Sequence, residues 1–237
     1  MKQLFFFPTS FEDPEQRRLA DHVAKGRIRE ALECAKHLTS GVNTFAPDGV
    51  SVLLLAVERE NRAMVRALLD AGANPDGGTD RAPINMALDD ENIDILQTLL
   101  EAGADPNGEL DQPALMKAAL HSLFAAADKL LDFGAKVDAS NSIGITAITK
   151  AATAEHWDMV NLLLDRGASI WIAAPASGFV MPQFAINDRL DPNCPLGKSR
   201  EAAIRKIKAA GFPWPPPPPK EVKRLLAEGK WPPPQAR

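Results

Sequence analysis

The sequence predicts an all-α stack of short helical repeats, and three observations carry that prediction. A short phrase returns along the chain: Ala71-Gly72-Ala73-Asn74, Ala102-Gly103-Ala104-Asp105, Phe133-Gly134-Ala135-Lys136 and Arg166-Gly167-Ala168-Ser169 each follow a Leu-Leu pair, and Thr39-Ser40-Gly41-Val42-Asn43 is a degenerate earlier copy. The glycines Gly41, Gly72, Gly103, Gly134 and Gly167 keep a near-constant spacing, the last step being slightly longer than the others. Ala56, Ala87, Ala118 and Ala151 recur at the same spacing in a second register, again with a longer last step. A fixed period of this length marks a row of similar small units, none of which can bury its apolar face alone. Such a row works through an extended surface rather than a catalytic pocket.

Each unit reads as helix, turn, helix, glycine stop and loop. An aliphatic residue stands three positions before each alanine: Leu53, Ile84, Leu115 and Ile148. Met64-Val65, Ile95-Leu96, Ala126-Ala127 and Met159-Val160 follow, and then Leu68-Leu69, Leu99-Leu100, Leu130-Leu131 and Leu163-Leu164. These spacings put the apolar residues of each segment on one helical face. A turn between the two helices fits at Glu60-Asn61, Glu91-Asn92, Ser122-Leu123 and Glu155-His156. The glycine after the second helix suits a left-handed C-cap, which costs glycine nothing sterically. The alanine lets neighbouring first helices approach closely, and the Leu-Leu pair seals the next unit.

The ends depart from the period. Residues 14–38 read as two helices around Ala24-Lys25-Gly26-Arg27, with Arg17, Arg18, Lys25, Arg27, Arg29 and Lys36 on outer faces, as a capping repeat requires. After Gly167 the pattern decays. Met181 to Asp188 reads as one further first helix, Asp191 to Lys198 as loop, and Ser199 to Ala210 as an amphipathic helix standing in for the missing second one. The tail repeats a helix stop, a tryptophan and a proline run at Gly211-Phe212-Pro213-Trp214-Pro215 and Gly229-Lys230-Trp231-Pro232, with a short helix between them from Pro219 to Glu228. Four segments result: an N-terminal arm and capping repeat (1–40), core repeats (41–170), a degenerate repeat serving as C-terminal cap (171–211) and a proline- and Trp-containing tail (212–237). The proline run Pro215 to Pro219 is either a polyproline II ligand for an aromatic groove or a join packed on the last helices through Phe212, Trp214 and Trp231.

This pattern resembles the ankyrin repeat. Gly49-Val50-Ser51-Val52-Leu53-Leu54-Leu55-Ala56, Arg81-Ala82-Pro83-Ile84-Asn85-Met86-Ala87, Pro113-Ala114-Leu115-Met116-Lys117-Ala118 and Gly144-Ile145-Thr146-Ala147-Ile148-Thr149-Lys150-Ala151 fill the opening of the family motif, and His156 takes the family's turn histidine position. The resemblance covers roughly residues 14–190 and implies an all-α ankyrin-repeat solenoid of about five to six helix-turn-helix units. Two departures stand out. The motif histidine of the first helix is replaced by Leu54, Asn85, Met116 and Thr149, so its hydrogen bonds must be made otherwise. All the glycine steps but the last are two residues short of the family's usual period, and the deficit falls in the projecting loops, which should be stubby.

Composition narrows the function. Of 237 residues, 45% are hydrophobic and 24% charged, ordinary for a globular protein. No apolar run approaches a membrane span, and the four apolar residues Leu4 to Phe7 are too few for a secretory leader. They read instead as an arm on the first repeat. Cys34 and Cys194 have no motif spacing and read as reduced thiols, which points to a cytoplasmic location. Charge is uneven. Residues 48–111 hold fourteen acidic and four basic residues (−10), whereas residues 195–237 hold ten basic and three acidic ones (+7). The acidic middle disfavours nucleic acid and favours a partner protein with a basic surface.

No catalytic, cofactor or metal signature emerges. His22, His37, His121 and His156 have no ligand neighbours at zinc spacing, and Asp89-Asp90-Glu91 reads as a solvated cluster. The chain therefore reads as a non-enzyme, monomeric alone, needing no cofactor or membrane. It binds another protein through a concave acidic face built from first-helix residues and loop tips. Mapped through the resemblance, the binding positions are Leu55, Glu58, Asp76, Asp80, Met86, Asp89, Asp90, Glu109, Asp111, Lys117, Leu120 and His121, with Trp157 as a further anchor. Leu55, Met86 and Leu120 should form an exposed apolar stripe with charged margins. Two alternatives stay open: a stoichiometric inhibitor such as a bacterial toxin immunity protein or a host-directed effector, and an enzyme with a site at the C-terminal segment around Asp188, Asp191, Cys194 and Lys198.

Overall fold

The computed structural model describes residues 8–78, 81–90, 93–186 and 190–234. The chain forms two compact units, Met1–Glu109 and Leu110–Arg237. Regular structure among the described residues is helical, with three isolated antiparallel bridges, Phe45 to Ser51, Ser140 to Thr146 and Ala173 to Val180.

The first unit stacks three helix pairs: α1 (Pro14–Ala24) with α2 (Ile28–Lys36), α3 (Val52–Glu58) with α4 (Arg62–Asp70), and α5 (Pro83–Met86) with α6 (Ile93–Glu101). First helices pack in one row, α1 on α3 on α5, and second helices in another, α2 on α4 on α6. The second unit repeats the arrangement with α7 (Ala114–Leu120) and α8 (Phe124–Asp132), then α9 (Ala147–Thr153) and α10 (Trp157–Asp165). A 3-10 segment, Met181–Ile186, packs on α9 where a further first helix is expected. The helix α11 (Pro195–Ala209) packs on α10 as its second helix, and α12 (Pro219–Ala227) lies in the tail. The apolar arm expected at Leu4 to Phe7 falls outside the described residues.

The recurring phrase is a Schellman stop. After α4, Gly72 at φ +90° donates its N–H to the Leu69 carbonyl and Ala73 donates to Leu68, both at 2.9 Å. Ala104 to Leu99, Ala135 to Leu130 and Ala168 to Leu163 repeat the longer bond at 2.9–3.0 Å. That bond ties the first leucine of each pair, fully buried in all four copies, to the turn that follows. The inter-helix turn uses the same device without glycine: Glu60, Ser122 and Glu155 adopt φ of +54°, +58° and +59°. The next residue's N–H returns to the aligned alanine, Asn61 to Ala56, Leu123 to Ala118 and His156 to Ala151. Glu91-Asn92 lies outside the described residues.

Neighbouring repeats are joined through their loops. Asn43 Oδ1 accepts from the Asn74 N–H (2.7 Å) while its Nδ2 donates to the Gly72 carbonyl (3.0 Å). Asp76 Oδ1 accepts from Asp105 N (2.7 Å), and Asp138 Oδ1 from Ser169 N (2.8 Å). Each is a charge- or dipole-assisted bond to a backbone donor that has no helical partner. The substitutes for the missing motif histidine divide by chemistry. Leu54 and Met116 are buried and apolar, Thr149 meets the Thr146 hydroxyl at 3.1 Å, and Asn85 Oδ1 accepts from Glu109 N at 3.3 Å. His156 Nδ1 lies 3.3 Å from the Ala119 carbonyl, an acceptor, and so donates across to the preceding repeat. The stubby-loop expectation holds where Asn74–Gly77 and Asp105–Gly108 close as tight turns. It fails at the first loop, where Phe45 and Ser51 still pair as a bridge.

Three boundaries differ from the sequence reading. Met181–Ile186 winds as a 3-10 turn rather than an α-helix, and the rest of the expected helix falls outside the described residues. The loop expected to run through Lys198 ends at Cys194, because Pro195 opens α11 at its first position and Cys194 Sγ accepts from Gly197 N at 3.2 Å. Position 197, inside that helix, takes glycine because a Cβ there would lie 2.0 Å from the Asp191 carbonyl oxygen. α5 is a single turn ending at Met86, so Asp89 and Asp90 follow it rather than ending a longer helix.

The tail is docked. Trp231 packs against Trp171 (tilted) and Phe212 (edge-on) with ring centroids 5.6 and 6.0 Å apart, and Trp171 and Phe212 are 4.5 Å apart. Trp231 Nε1 donates to the Trp171 carbonyl (2.8 Å), and Gln183 Nε2 donates to the Pro217 carbonyl (2.7 Å). Phe212, Pro216 and Val222 are buried, and Lys208 Nζ sits 4.9 Å above the Trp214 ring. Of the two readings of the proline run, the packed join matches this geometry.

Candidate functional site

The sequence-predicted positions separate into those that face outward and those that hold the fold. Leu55 and Trp157 are corrections. Leu55 is 0% exposed, because α3 is enclosed by α1, α4 and α5 and only Glu58 at its end reaches partial exposure. Trp157 is 1% exposed at the first position of α10, with its indole N–H buried. Neither side chain can reach a partner, so the apolar stripe is not built as expected. Met86 is half-buried, and Leu120 alone of the three is clearly exposed.

Several loop-tip acids do structural work. Asp76 holds the next loop through Asp105 N. Glu109 Oε1 accepts from Ala82 N at 3.3 Å. Asp111 Oδ1 accepts from both the backbone N–H (3.2 Å) and the hydroxyl (2.6 Å) of Ser142, and these two hydrogen bonds, the hydroxyl's foremost, hold its carboxyl below the usual carboxylate range. Asp80 falls outside the described residues. Glu58 at the end of α3, and Asp89 and Asp90 in the segment after α5, remain as half-buried acids in the first unit.

The second unit brings four predicted residues together. Asp111, Lys117, Leu120 and His121 line a groove of about 220 Å³, completed by Gln112, Met116, Asn141 and Lys150. Lys117 and Lys150 hold equivalent places in consecutive repeats, which is why the stack sets them in one groove. Leu120 closes α7 and His121 is its C-cap. Next in sequence to Asp111 of the groove and to its partner Ser142, two equivalent loop tips carry Leu110 and Ile143, 94% and 61% exposed and the most exposed large apolar side chains described. The Asp111–Ser142 bonds fix these tips to each other. The sequence reading missed Leu110 and Ile143 as members of this surface. The signal was present: Leu110 and Ile143 are separated by the same repeat interval as Lys117 and Lys150.

Charge divides between the units. The first holds nineteen acidic and eleven basic residues (−8), the second twelve and sixteen (+4). The acidic character expected of the whole face therefore belongs to the first unit, whereas the groove carries two lysines and one carboxylate.

In the C-terminal segment the described candidates take places in the fold. Cys194 caps α11, Asp191 Oδ1 accepts from Asn193 N (2.9 Å), and Asp188 lies outside the described residues. Among the described residues no cluster of His, Cys, Asp and Glu could hold a metal ion, and no helix is long and apolar enough to cross a membrane.

Comparisons with known proteins agree with this geometry. Residues 22–109 and 86–174 match the family description of ankyrin repeats in three copies, together more than half of the chain. The crystal structure of the ankyrin repeat domain of Bcl-3, described as a unique member of the IkappaB protein family, superposes with a TM-score of 0.67. It is 20% identical over 92% of this chain and 99% of its own, a likeness that shows the fold. No curated protein matches the sequence. Ankyrin repeats are protein–protein interaction modules, and with its glycine stops, stacked helix pairs and loop ladder this chain belongs to the ankyrin repeat family.

Proposed function

We propose that the chain binds a partner protein through its first-helix and loop-tip surface, with the groove of the second unit as the anchor. The observation that carries this reading is the groove itself: Leu120, Lys117, Lys150, His121 and Asp111 line it, and Asp111 bonds the Ser142 loop so that the exposed Leu110 and Ile143 stand on two tied tips. A concave patch with an exposed apolar centre and a charged margin is the usual construction of a binding face. In the first unit the half-buried Glu58, Asp89 and Asp90 and a balance of −8 favour a basic surface on the partner there. The chain acts as a cytoplasmic, monomeric binder and not as an enzyme.

Capture on immobilised protein from extract of the source cell, followed by mass spectrometry, tests the reading. One stoichiometric partner should be retained by the natural chain and lost with Leu120→Asp or Ile143→Asp, while both variants melt as the natural chain does. Equal retention by all three would show that the groove is not the anchor.

A further inference from the structure

We propose that the outer face of the C-terminal cap is a second docking surface, built for an acidic protein segment bearing an apolar side chain. It uses none of the groove residues. Gly178 ends the last loop at φ +77°, where a Cβ would lie 2.2 Å from the Pro219 carbonyl oxygen and 2.9 Å from the Lys223 nitrogen. That backbone-to-backbone approach, open to glycine alone, fixes the loop against the start of α12. The next residue, Phe179, is therefore held beside Lys223. It is 42% exposed and stacks on Phe184 at 5.7 Å, so an aromatic ridge stands in solvent against a rigid support.

Cations border the ridge. Lys220 and Lys223 lie three residues apart on α12 and are exposed, while Val222 between them is buried. Arg224 and Lys230 share Glu228 at 2.7 and 2.8 Å, whereas among the described residues Lys220 and Lys223 have no carboxylate partner. The surrounding segment, residues 195–234, holds nine basic and three acidic residues. An exposed aromatic ridge with a predominantly cationic margin, Glu221 being the one acid between the two lysines, matches a segment of opposite charge with an apolar residue to lay on the rings. A protein segment fits better than nucleic acid. The two rings are stacked on each other rather than spaced as platforms for successive bases.

The test is fluorescence anisotropy of the full chain with a labelled glutamate–tyrosine random copolymer at low salt. Labelled polyglutamate, a 20-nucleotide oligo-dT and phosphatidylserine-containing vesicles run in parallel. The copolymer should bind more tightly than the other three. Lys220→Glu with Lys223→Glu should weaken it about tenfold, the scale for two lost charge contacts. Phe179→Ser should reduce it to the polyglutamate level, and Leu120→Asp in the groove should leave it unchanged. Unaltered thermal melting of the variants confirms that they fold. The proposal is overturned if the lysine variant binds as the natural chain does, if oligo-dT or vesicles bind as tightly with the same residue dependence, or if Leu120→Asp abolishes binding. Concentration-dependent self-association removed by the lysine variant would overturn it in favour of a second copy as occupant.

Discussion

Trp231 lies near the chain end, in a segment that composition alone would call a linker, yet the fold makes it a core residue. Replacing it with alanine removes a side chain that is 8% exposed, two ring contacts within 6.0 Å and one indole hydrogen bond of 2.8 Å. A buried tryptophan covers about 200 Å², roughly 5 kcal/mol of apolar burial as an upper bound. Large-to-small core changes of this kind cost about 3–5 kcal/mol. Trp231 keeps 8% exposure, which places the expectation near the lower figure, about 3 kcal/mol. In a chain of this size that is a fall in Tm of about 6–12 °C. Trp231→Phe keeps the ring and loses the donor, for about 1 kcal/mol. Circular dichroism and differential scanning calorimetry read both variants. If the units melt separately, the loss should be confined to the transition of residues 110–237. A Tm shift below about 2 °C for Trp231→Ala would refute the docked tail and restore the free polyproline ligand.

Three further outcomes follow from the turns and the loop ladder. Ser122→Gly should raise stability by about 0.5–1 kcal/mol, because a left-handed φ costs serine about that much more than glycine, and urea denaturation reads the difference. Gly26→Ala should lower it by about 2 kcal/mol, since φ is +70° and the new Cβ would lie 2.8 Å from Asn61 Nδ2, whose Oδ1 caps α4 through Met64 N. Asp111 has a depressed carboxyl in the folded state, so its contribution is full above the unfolded-state value of about 3.9 and fades as pH falls through the lower folded value. The Tm gap between the natural chain and Asp111→Ala should accordingly be constant above about pH 5 and close in stronger acid. A gap independent of pH would mean that the loss is one of packing.

The repeat architecture was readable because its causes are local and periodic. Gly72, Gly103, Gly134 and Gly167 mark helix stops, and Ala56, Ala118 and Ala151 mark the carbonyls that close the inter-helix turns. The site was only partly readable. Lys117, Leu120, His121 and Asp111 meet in one groove because the period carries them there. Leu55 was misjudged because helical position does not reveal how many neighbours enclose a first helix: α3 is covered on three sides, whereas Leu120, the last residue of α7, keeps 38% of its surface. Asp76 and Glu109 looked like binding acids because a sequence shows a carboxylate but not the backbone N–H it serves. The start of α11 was missed because Pro195 and Gly197 are breakers in isolation. Here the proline takes the first helical position and the glycine meets the Asp191 backbone.

Hydrogen–deuterium exchange on the captured complex tests the central claim most directly. Binding by the groove and loop tips predicts new protection at Leu110–Asp111, Lys117–His121 and Ser142–Ile143, with the second helices α8 and α10 unchanged. Protection concentrated on α8 and α10, with the groove peptides unaltered, would contradict it.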